Sequence, residues 1–203
     1  MKSFIGSFVK KRAAIEIKIK DETVIIEKLL DFLINLGKRG ITAKDMVTVL
    51  ELEAEMENHY NSFLQSIDKK QYLPFYWEEL YDLYMEIKKI FNSLIMYFNK
   101  RNVLEDTEIF NSFLTTQKEV MKNITLFFDE YISNRKYIKE LLKNNGVTIK
   151  TLSKIHLKII GNTVFESKDS LLKYRIIEIL ESISNIDYTI QDLLNKILLT
   201  SGI

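Results

Sequence analysis

The stretch RIIEILESISNIDYTIQDLLNKIL, residues 175–198, carries an isoleucine or leucine at every third or fourth position without interruption. The repeat consists of Ile176, Ile179, Ile183, Ile186, Ile190, Leu193 and Ile197. Residues at this spacing share one face of an α-helix, whereas a strand places every second residue on the same face. The stretch therefore predicts a long amphipathic helix, from about 168 to 199, in which Ile183, Ile186 and Ile190 are buried.

Five further segments show the same spacing of apolar residues. The first runs from about 21 to 37, the second opens at Thr42, the third follows Pro74 and stops near 104, the fourth covers about 106–133, and the fifth covers about 135–165. The chain has only one proline and six glycines, too few for the turns of a strand-rich fold. We therefore expect an all-α fold of six long antiparallel helices in one or two up-and-down bundles, three helices before residue 102 and three after.

Three local features refine these helices. TAKD, at the start of the second helix, resembles a capping box with aspartate in place of glutamate. Gly146 could end one segment of the fifth helix. AAIEIKIK, at 13–20, alternates as a strand does although the surrounding chain favours helix, so residues 1–20 are predicted to form a loosely attached arm.

Composition limits the possible functions. The net charge is +1 and the pI is about 7.8, so the chain has no bulk positive field for nucleic acid. It has no cysteine, which excludes disulfides and thiolate chemistry. Neither a signal peptide nor the run of ~20 apolar residues that crosses a bilayer is present in it. These properties predict a soluble, cytoplasmic protein, with 1–203 as a single domain.

The acidic run VLELEAEMENHYNSFL, residues 49–64, raises the question of a metal site. Glu51 and Glu55 are four residues apart and share one helical face, with His59 one turn further on. Such a pair can hold a cation but cannot complete its coordination shell. A ferritin-like site needs Glu-x-x-His directed inward, whereas Met56 precedes His59 by three residues. The sequence alone favours a solvated acidic face.

Other chemical motifs are sparse. His59 and His156 are the two histidines, and His156 lies among apolar residues, as a histidine at the edge of a core does. The chain shows no nucleophile elbow or phosphate loop, so we expect no enzyme. YLPFYW, at 72–77, more often packs a turn than binds a partner. KKR, at 10–12, is too short for nucleic acid and allows at most a peripheral contact with anionic lipid.

The segment from about 40 to 200 resembles the PhoU-related family of phosphate transport regulators, in the branch found with Pit-type phosphate transporters. Glu51-Leu52-Glu53-Ala54-Glu55 corresponds to the family's E-x-E-A-D, Leu73-Pro74-Phe75 to its T-P-F, and Glu78-Glu79-Leu80-Tyr81 to its acidic helix start. TVFESKDSLLKYRIIEILESISN, at 163–185, resembles the turn and last helix with E-x-x-L-E-x-x-x-D. The resemblance implies two three-helix bundles, here about 21–102 and 103–203, with acidic pairs that bind metal on their outward faces.

The sequence departs from the family at those acidic positions. Lys88, Lys89 and Asn92 stand for three aspartates, IKTLSKIH replaces an acidic run, and Asn185 replaces another aspartate. The acids that survive are Glu51, Glu55, Glu178 and Glu181. Because an ammonium repels a cation and pairs with the remaining acids itself, we expect these four to be vestigial, with no bound metal or cofactor. Lys88 or Lys89 is expected to pair with Glu51 or Glu55.

The resemblance implies a non-enzymatic regulatory or adaptor protein that acts on a phosphate transporter through its helical surfaces. The alternative is a helical scaffold or oligomerisation module unrelated to phosphate. A protein partner and a homo-oligomer are both compatible with the sequence, and nucleic acid is not expected.

Overall fold

The computed structural model describes residues 2–37, 39–66, 77–100, 107–133, 136–165 and 170–200, with side chains for 15–37, 39–66, 78–100, 108–133, 136–162 and 173–200. It contains six helices, which we number in chain order. They are α1 (Lys2–Leu36), α2 (Ala43–Ser66), α3 (Trp77–Lys100), α4 (Thr107–Ser133), α5 (Ile138–Phe165) and α6 (Ser170–Thr200). The predicted all-α fold is confirmed. No helix in these ranges is both long enough and apolar enough to cross a membrane.

Side-chain contacts show that neighbouring helices run antiparallel. Between α1 and α4, Lys20 pairs with Asp129 at 2.6 Å, and Asp31 pairs with Lys118 at 2.6 Å. Residue numbers therefore rise along one helix as they fall along the other. The α1–α2 pair follows the same rule, because Lys18 bonds to Ser62 and Lys28 bonds to Glu55.

The helices form two groups of three that share one core. Helix α1 packs against α2 and α3, and α5 packs against α4 and α6. Contacts of α1 with α4 and of α3 with α6 join the groups, and the buried apolar residues of all six helices form one contiguous cluster. Helix α2 thus lies outside the α1/α3 edge, and α5 lies outside the α4/α6 edge on the opposite side. The sub-bundle boundary near 102 stays a prediction.

The core of the last helix is placed as its sequence predicts. Ile183 and Ile190 are 0% exposed and Ile186 is 9% exposed. His156 is also buried, as expected of a histidine at the edge of a core. The YLPFYW cluster lies outside the described residues except for Trp77, the first residue of α3.

The predicted N-terminal arm is wrong, because α1 begins at Lys2 and runs unbroken to Leu36. Ile15 and Ile19 are buried, whereas Ile17 between them is 45% exposed. The apparent strand alternation is therefore a helical stripe at a spacing of four residues. It continues into Ile26, which is also fully buried.

The predicted break at Gly146 is also wrong, because α5 is continuous from Ile138 to Phe165. A glycine inside a helix costs about 1 kcal/mol relative to alanine. Packing next to it offsets this cost: Asn145 donates to Gln191 of α6 at 2.8 Å, and Gln191 donates to the carbonyl of Leu142 at 3.1 Å. Helix α5 is thereby held against α6 in the turn that precedes the glycine.

The connection between α1 and α2 is fixed by a glycine and a capping box. Gly37 ends α1 with a φ of 52°, a left-handed conformation that glycine adopts without strain. Asp45 accepts from the backbone N–H of Thr42 at 2.8 Å, which confirms the start predicted from TAKD. Arg39 donates two hydrogen bonds to the same carboxylate. These bonds hold the pKa of Asp45 below its ordinary value, with Arg39 as the largest cause.

Candidate functional site

The acidic run of α2 lies on the surface. Glu51 and Glu55 are exposed and Glu53 is half-buried, as their positions relative to the buried stripe predict. Lys28 of α1 donates to Glu55 Oε1 at 2.6 Å. One member of the predicted acidic pair is therefore neutralised by α1, the neighbouring helix.

The predicted ion pair between α3 and the acidic pair is wrong. Lys88 pairs with Glu57 at 3.3 Å, and Lys89 pairs with Glu86 of its own helix at 2.6 Å. Each residue turns an α-helix by about 100°, so Glu57 faces a different neighbour from Glu55 two positions earlier. Helices α2 and α3 do run antiparallel, as expected.

A polar cluster lies where α1, α2 and α3 meet. It consists of Glu22, His59, Tyr60, Tyr84 and Lys88. The Lys88 ammonium lies 3.4 Å from the centre of the Tyr60 ring, a cation–π contact. The Tyr84 hydroxyl and His59 Nδ1 are hydrogen-bonded at 3.1 Å. This cluster joins the three helices of the N-terminal half.

Burial favours the uncharged forms of three groups in this cluster. It raises the pKa of Glu22 well above its ordinary value, although Lys88 opposes the shift. Burial likewise raises the pKa of Tyr84, helped by Glu22, and lowers the pKa of His59, helped by Lys18. A protonated Tyr84 hydroxyl can then donate to a neutral His59 ring. Such a network holds helices together, with Lys88 as its one cation.

The surviving acids of the family motifs do not converge. Glu178 and Glu181 are exposed on α6, which packs against α3 and α5, whereas Glu51 and Glu55 lie on α2, which packs against α1. Glu178 lines an open groove of about 400 Å³ between α3 and α6, together with Arg175 and Lys100. Within the described ranges, no three histidine or carboxylate side chains form a group that could hold a metal ion. The absence of bound metal stays a prediction.

Another carboxyl with no exposed surface, which the sequence did not predict, lies in the C-terminal half. Asp187 of α6 is fully buried, and its Oδ1 accepts from Gln117 Nε2 of α4 at 3.0 Å. Burial raises the pKa of Asp187 to about 8, against the lowering effect of that hydrogen bond. The position could have been found from the sequence, because Asp187 follows Ile183 by four residues on the buried stripe.

The outward side of α2 carries apolar residues among acids. Met46, Val47 and Leu50 are 43%, 53% and 59% exposed. Glu51 and Glu53 flank them, and neither forms an ion pair with any residue that the structure describes. We call these five residues the α2 face. The whole helix has five carboxylates and one lysine, hence a charge of −4 with His59 neutral.

The outward side of α5 has the opposite charge. Its residues are Lys143, Val147, Lys150, Lys154, Leu157 and Lys158, all exposed, and we call them the α5 face. Val147 and Leu157 are 57% and 65% exposed. None of the four lysines pairs with a carboxylate among the described residues. With five lysines and one glutamate, α5 has a charge of +4.

No protein-family model matches the chain, and no curated protein has a matching sequence. The PhoU-related resemblance therefore rests on the motifs in the sequence alone.

Proposed function

We propose that this chain is a non-enzymatic regulatory or adaptor protein that binds a partner protein through the α2 face. The observation that carries the proposal is the row of exposed apolar side chains Met46, Val47 and Leu50. Helix α2 already buries Val49, Leu52, Met56 and Phe63 against the rest of the fold. Its outward apolar row therefore adds nothing to the core, and it is the kind of surface that a partner covers.

The charges around this row indicate the kind of partner. Glu51 and Glu53 flank Leu50 and have no described cation to neutralise them. An amphipathic helix with apolar residues at three- and four-residue spacing and flanking Lys or Arg residues would fit this face. Charge complementarity between such a helix and the α2 face would mainly increase specificity and the rate of association, and would add less to affinity.

The resemblance in the sequence supplies a candidate for that partner. The two groups of three helices agree with the arrangement that the PhoU-related resemblance implies, so the proposal extends to a cytoplasmic regulator of inorganic phosphate transport. The partner would then be a basic cytoplasmic segment of a phosphate transporter. No metal or cofactor is needed for this role.

Co-purification of the Pit-type phosphate transporter with the tagged chain from its native host tests the proposal. Leu50→Lys places a like charge where a basic partner would dock, so the recovered transporter should fall about tenfold. Leu126→Lys is the matched control, because Leu126 is a 40% exposed leucine on α4, away from the α2 face. Equal recovery with both variants would contradict the role of the α2 face. Absence of the transporter from the wild-type preparation would contradict the phosphate role.

A second candidate function is a scaffold or oligomerisation module. The observation that favours it is the α5 face, where four lysines lie without described carboxylate partners around two exposed aliphatic residues. A surface of this kind fits an acidic protein face. An adjacent transporter gene in the genome would favour the regulator over the scaffold.

A further inference from the structure

We infer that copies of this chain associate head to tail, with the α2 face of one copy packed on the α5 face of the next. The inference goes beyond the proposed adaptor function, because it concerns contacts between copies and assigns a binding partner to the α5 face. It rests on the charges, the exposed aliphatic residues and the positions of the two faces.

The two faces are complementary in charge, and the α5 face is the longer of the two. The α2 face has two glutamates and the α5 face has four lysines, none of them paired among the described residues, so the two faces have charges of −2 and +4, although the whole chain is nearly neutral. The α2 face, from Met46 to Glu53, is about 10 Å long, and the α5 face, from Lys143 to Lys158, is about 22 Å long at 1.5 Å per residue. The shorter acidic face can therefore lie entirely on the basic one.

Apolar side chains occupy both faces. Val47 and Leu50 are more than half exposed on α2, and Val147 and Leu157 are more than half exposed on α5. Contact between the faces would remove these four side chains from water while each glutamate gains a lysine. In an isolated copy these aliphatic side chains stay exposed to water, and the charges of both faces have no ion-pair partner among the described residues.

The positions of the faces decide the symmetry of the assembly. Helix α2 lies on the α1/α3 edge and α5 on the α4/α6 edge, on opposite sides of the molecule. A two-fold dimer would have to bring both faces of each copy to one side, which this arrangement does not allow. The contact is therefore heterologous and open-ended, and each chain of copies ends with one free α2 face. That free face remains available to the partner of the proposed function.

Sedimentation velocity on the full chain tests the inference first. At about 50 mM salt the weight-average sedimentation coefficient should rise steadily with protein concentration, and it should return to the monomer value at about 500 mM salt because the ion pairs are screened. A salt-independent dimer would overturn the inference, since a closed apolar contact behaves in that way. A monomer at every concentration in low salt would overturn it as well.

Two charge-reversal variants provide the decisive test. Glu51→Lys with Glu53→Lys makes both faces basic, and Lys150→Glu with Lys154→Glu brings the net charge of the α5 face, which has four lysines, from +4 to zero. Each variant alone should remain monomeric in low salt. A mixture should form a one-to-one dimer and nothing larger, because only one complementary pair of faces exists between the two variants. Circular dichroism should show that both variants keep their helical content.

Matched controls change the same number of charges elsewhere on the surface. Lys122→Glu with Lys196→Glu and Glu119→Lys with Glu181→Lys alter exposed residues of α4 and α6, and both should associate as the wild type does. A mixture of the two face variants that stays monomeric overturns the inference, as does equal loss of association in the controls. Binding of monomeric wild-type chain to phosphatidylserine vesicles, abolished by Lys150→Glu with Lys154→Glu, would instead assign the α5 face to a membrane surface and also overturn it.

This test can be separated from that of the adaptor function. The Lys150→Glu, Lys154→Glu variant loses the positive charge of the α5 face but keeps an unchanged α2 face. If the chain is an adaptor, this monomeric variant should still recover the transporter. Loss of self-association and loss of partner binding are therefore scored independently.

Discussion

Among the described residues, each half of the molecule has one carboxyl group with no exposed surface, Glu22 and Asp187, and the two are buried in different ways. Glu22 of α1 has no hydrogen-bond partner on either carboxyl oxygen among the described residues, and Lys88 is the nearby charge that opposes its shift. Asp187 of α6 accepts a hydrogen bond from Gln117. In both, burial raises the pKa. The N-terminal half thus places a cation near its carboxyl, whereas the C-terminal half uses an amide.

A proton on Asp187 would complete the C-terminal arrangement. Gln117 Oε1 and Asp187 Oδ2 are both buried without a described partner. Two acceptors cannot bond to each other, but a protonated carboxyl and a primary amide can form two parallel hydrogen bonds. The two acids therefore differ in their partners: Asp187 has an amide to which its proton can bond, whereas Glu22 has no such partner among the described residues. The raised pKa of each ties stability to pH.

The largest expected effect concerns the apolar core around both acids. Ile183→Ala in α6 and Leu29→Ala in α1 each truncate a side chain that is 0% exposed. Each should lower the free energy of unfolding by about 2–5 kcal/mol, because the lost burial leaves a cavity. Urea denaturation measures both. If one variant cost nothing, its half would not pack as the structure shows, and the comparison of the two acids would lose its basis.

The next effect concerns Glu22. Glu22→Met replaces a buried carboxyl that has no described hydrogen-bond partner with an apolar side chain of similar length. The free energy of unfolding at neutral pH should rise by about 1–4 kcal/mol. Thermal denaturation followed by circular dichroism measures the change. Destabilisation by Glu22→Met would mean that the electrostatic attraction between Glu22 and Lys88 contributes more than the burial of the carboxyl costs.

Asp187 should respond in the opposite direction to the same kind of change. Asp187→Leu leaves the Gln117 amide buried without its acceptor, so unfolding should become easier by about 1–3 kcal/mol. Asp187→Asn keeps that acceptor and supplies a donor for Gln117 Oε1, so it should be tolerated. Urea denaturation of the two variants side by side measures the contrast. Equal losses in both would show that the amide pairing contributes nothing.

The proton on Asp187 predicts a pH dependence with a definite sign. The ordinary pKa of an aspartate is about 3.9, and in the folded chain it is raised to about 8. At a pH between these two pKa values, the folded chain holds a proton that the unfolded chain has released. The free energy of unfolding is therefore greatest below the unfolded-state pKa and falls as the pH rises towards the folded-state pKa. Asp187 should contribute a slope of about −1.4 kcal/mol per pH unit. Because Glu22 also has a raised pKa, Asp187→Asn should keep some slope, but a smaller one than the wild type when both proteins are unfolded in urea from pH 5 to 8. An identical slope in both would mean that Asp187 does not hold the proton.

The smallest effect is expected at the surface. Lys28→Ala removes the exposed pair with Glu55 and should cost about 0.2–1 kcal/mol in urea denaturation at low salt, with less effect at high salt. Lys122→Ala, which changes an exposed lysine of α4, is its control. A loss above 2 kcal/mol would mean that the acidic run of α2 contributes to stability as a buried pair does.

The sequence predicted the six helices because a helical stripe is a local property that spacing alone reveals. It failed for residues 15–20 because isoleucines four apart were interleaved with an exposed Ile17, which imitates a strand. It failed at Gly146 because packing of Asn145 against α6 outweighs a local preference. Glu22 was missed because its helix was taken to begin at about 21, which hid its place between Ile19 and Ile26 on the buried stripe.

The candidate site was less predictable than the fold. The position of Glu55 on its own helix follows from the sequence. The rotation and axial offset of α3 relative to α2, however, depend on packing between aromatic side chains. Phe63 and Tyr84 are one such pair, with ring centres 3.7 Å apart. For that reason Lys88 meets Glu57 instead of Glu51 or Glu55. The outward faces of α2 and α5 required knowledge of which helices lie outermost.

Photo-crosslinking in living cells tests whether the α2 face is the surface on which this protein works. A photoreactive amino acid replaces Leu50 on α2 or, as the control, Leu126 on α4, in the Lys150→Glu, Lys154→Glu background that cannot pair with another copy. We predict that illumination joins the chain to the phosphate transporter from position 50 and not from position 126. Crosslinking of the transporter from position 126 alone, equal crosslinking from both positions, or none from either would contradict the account.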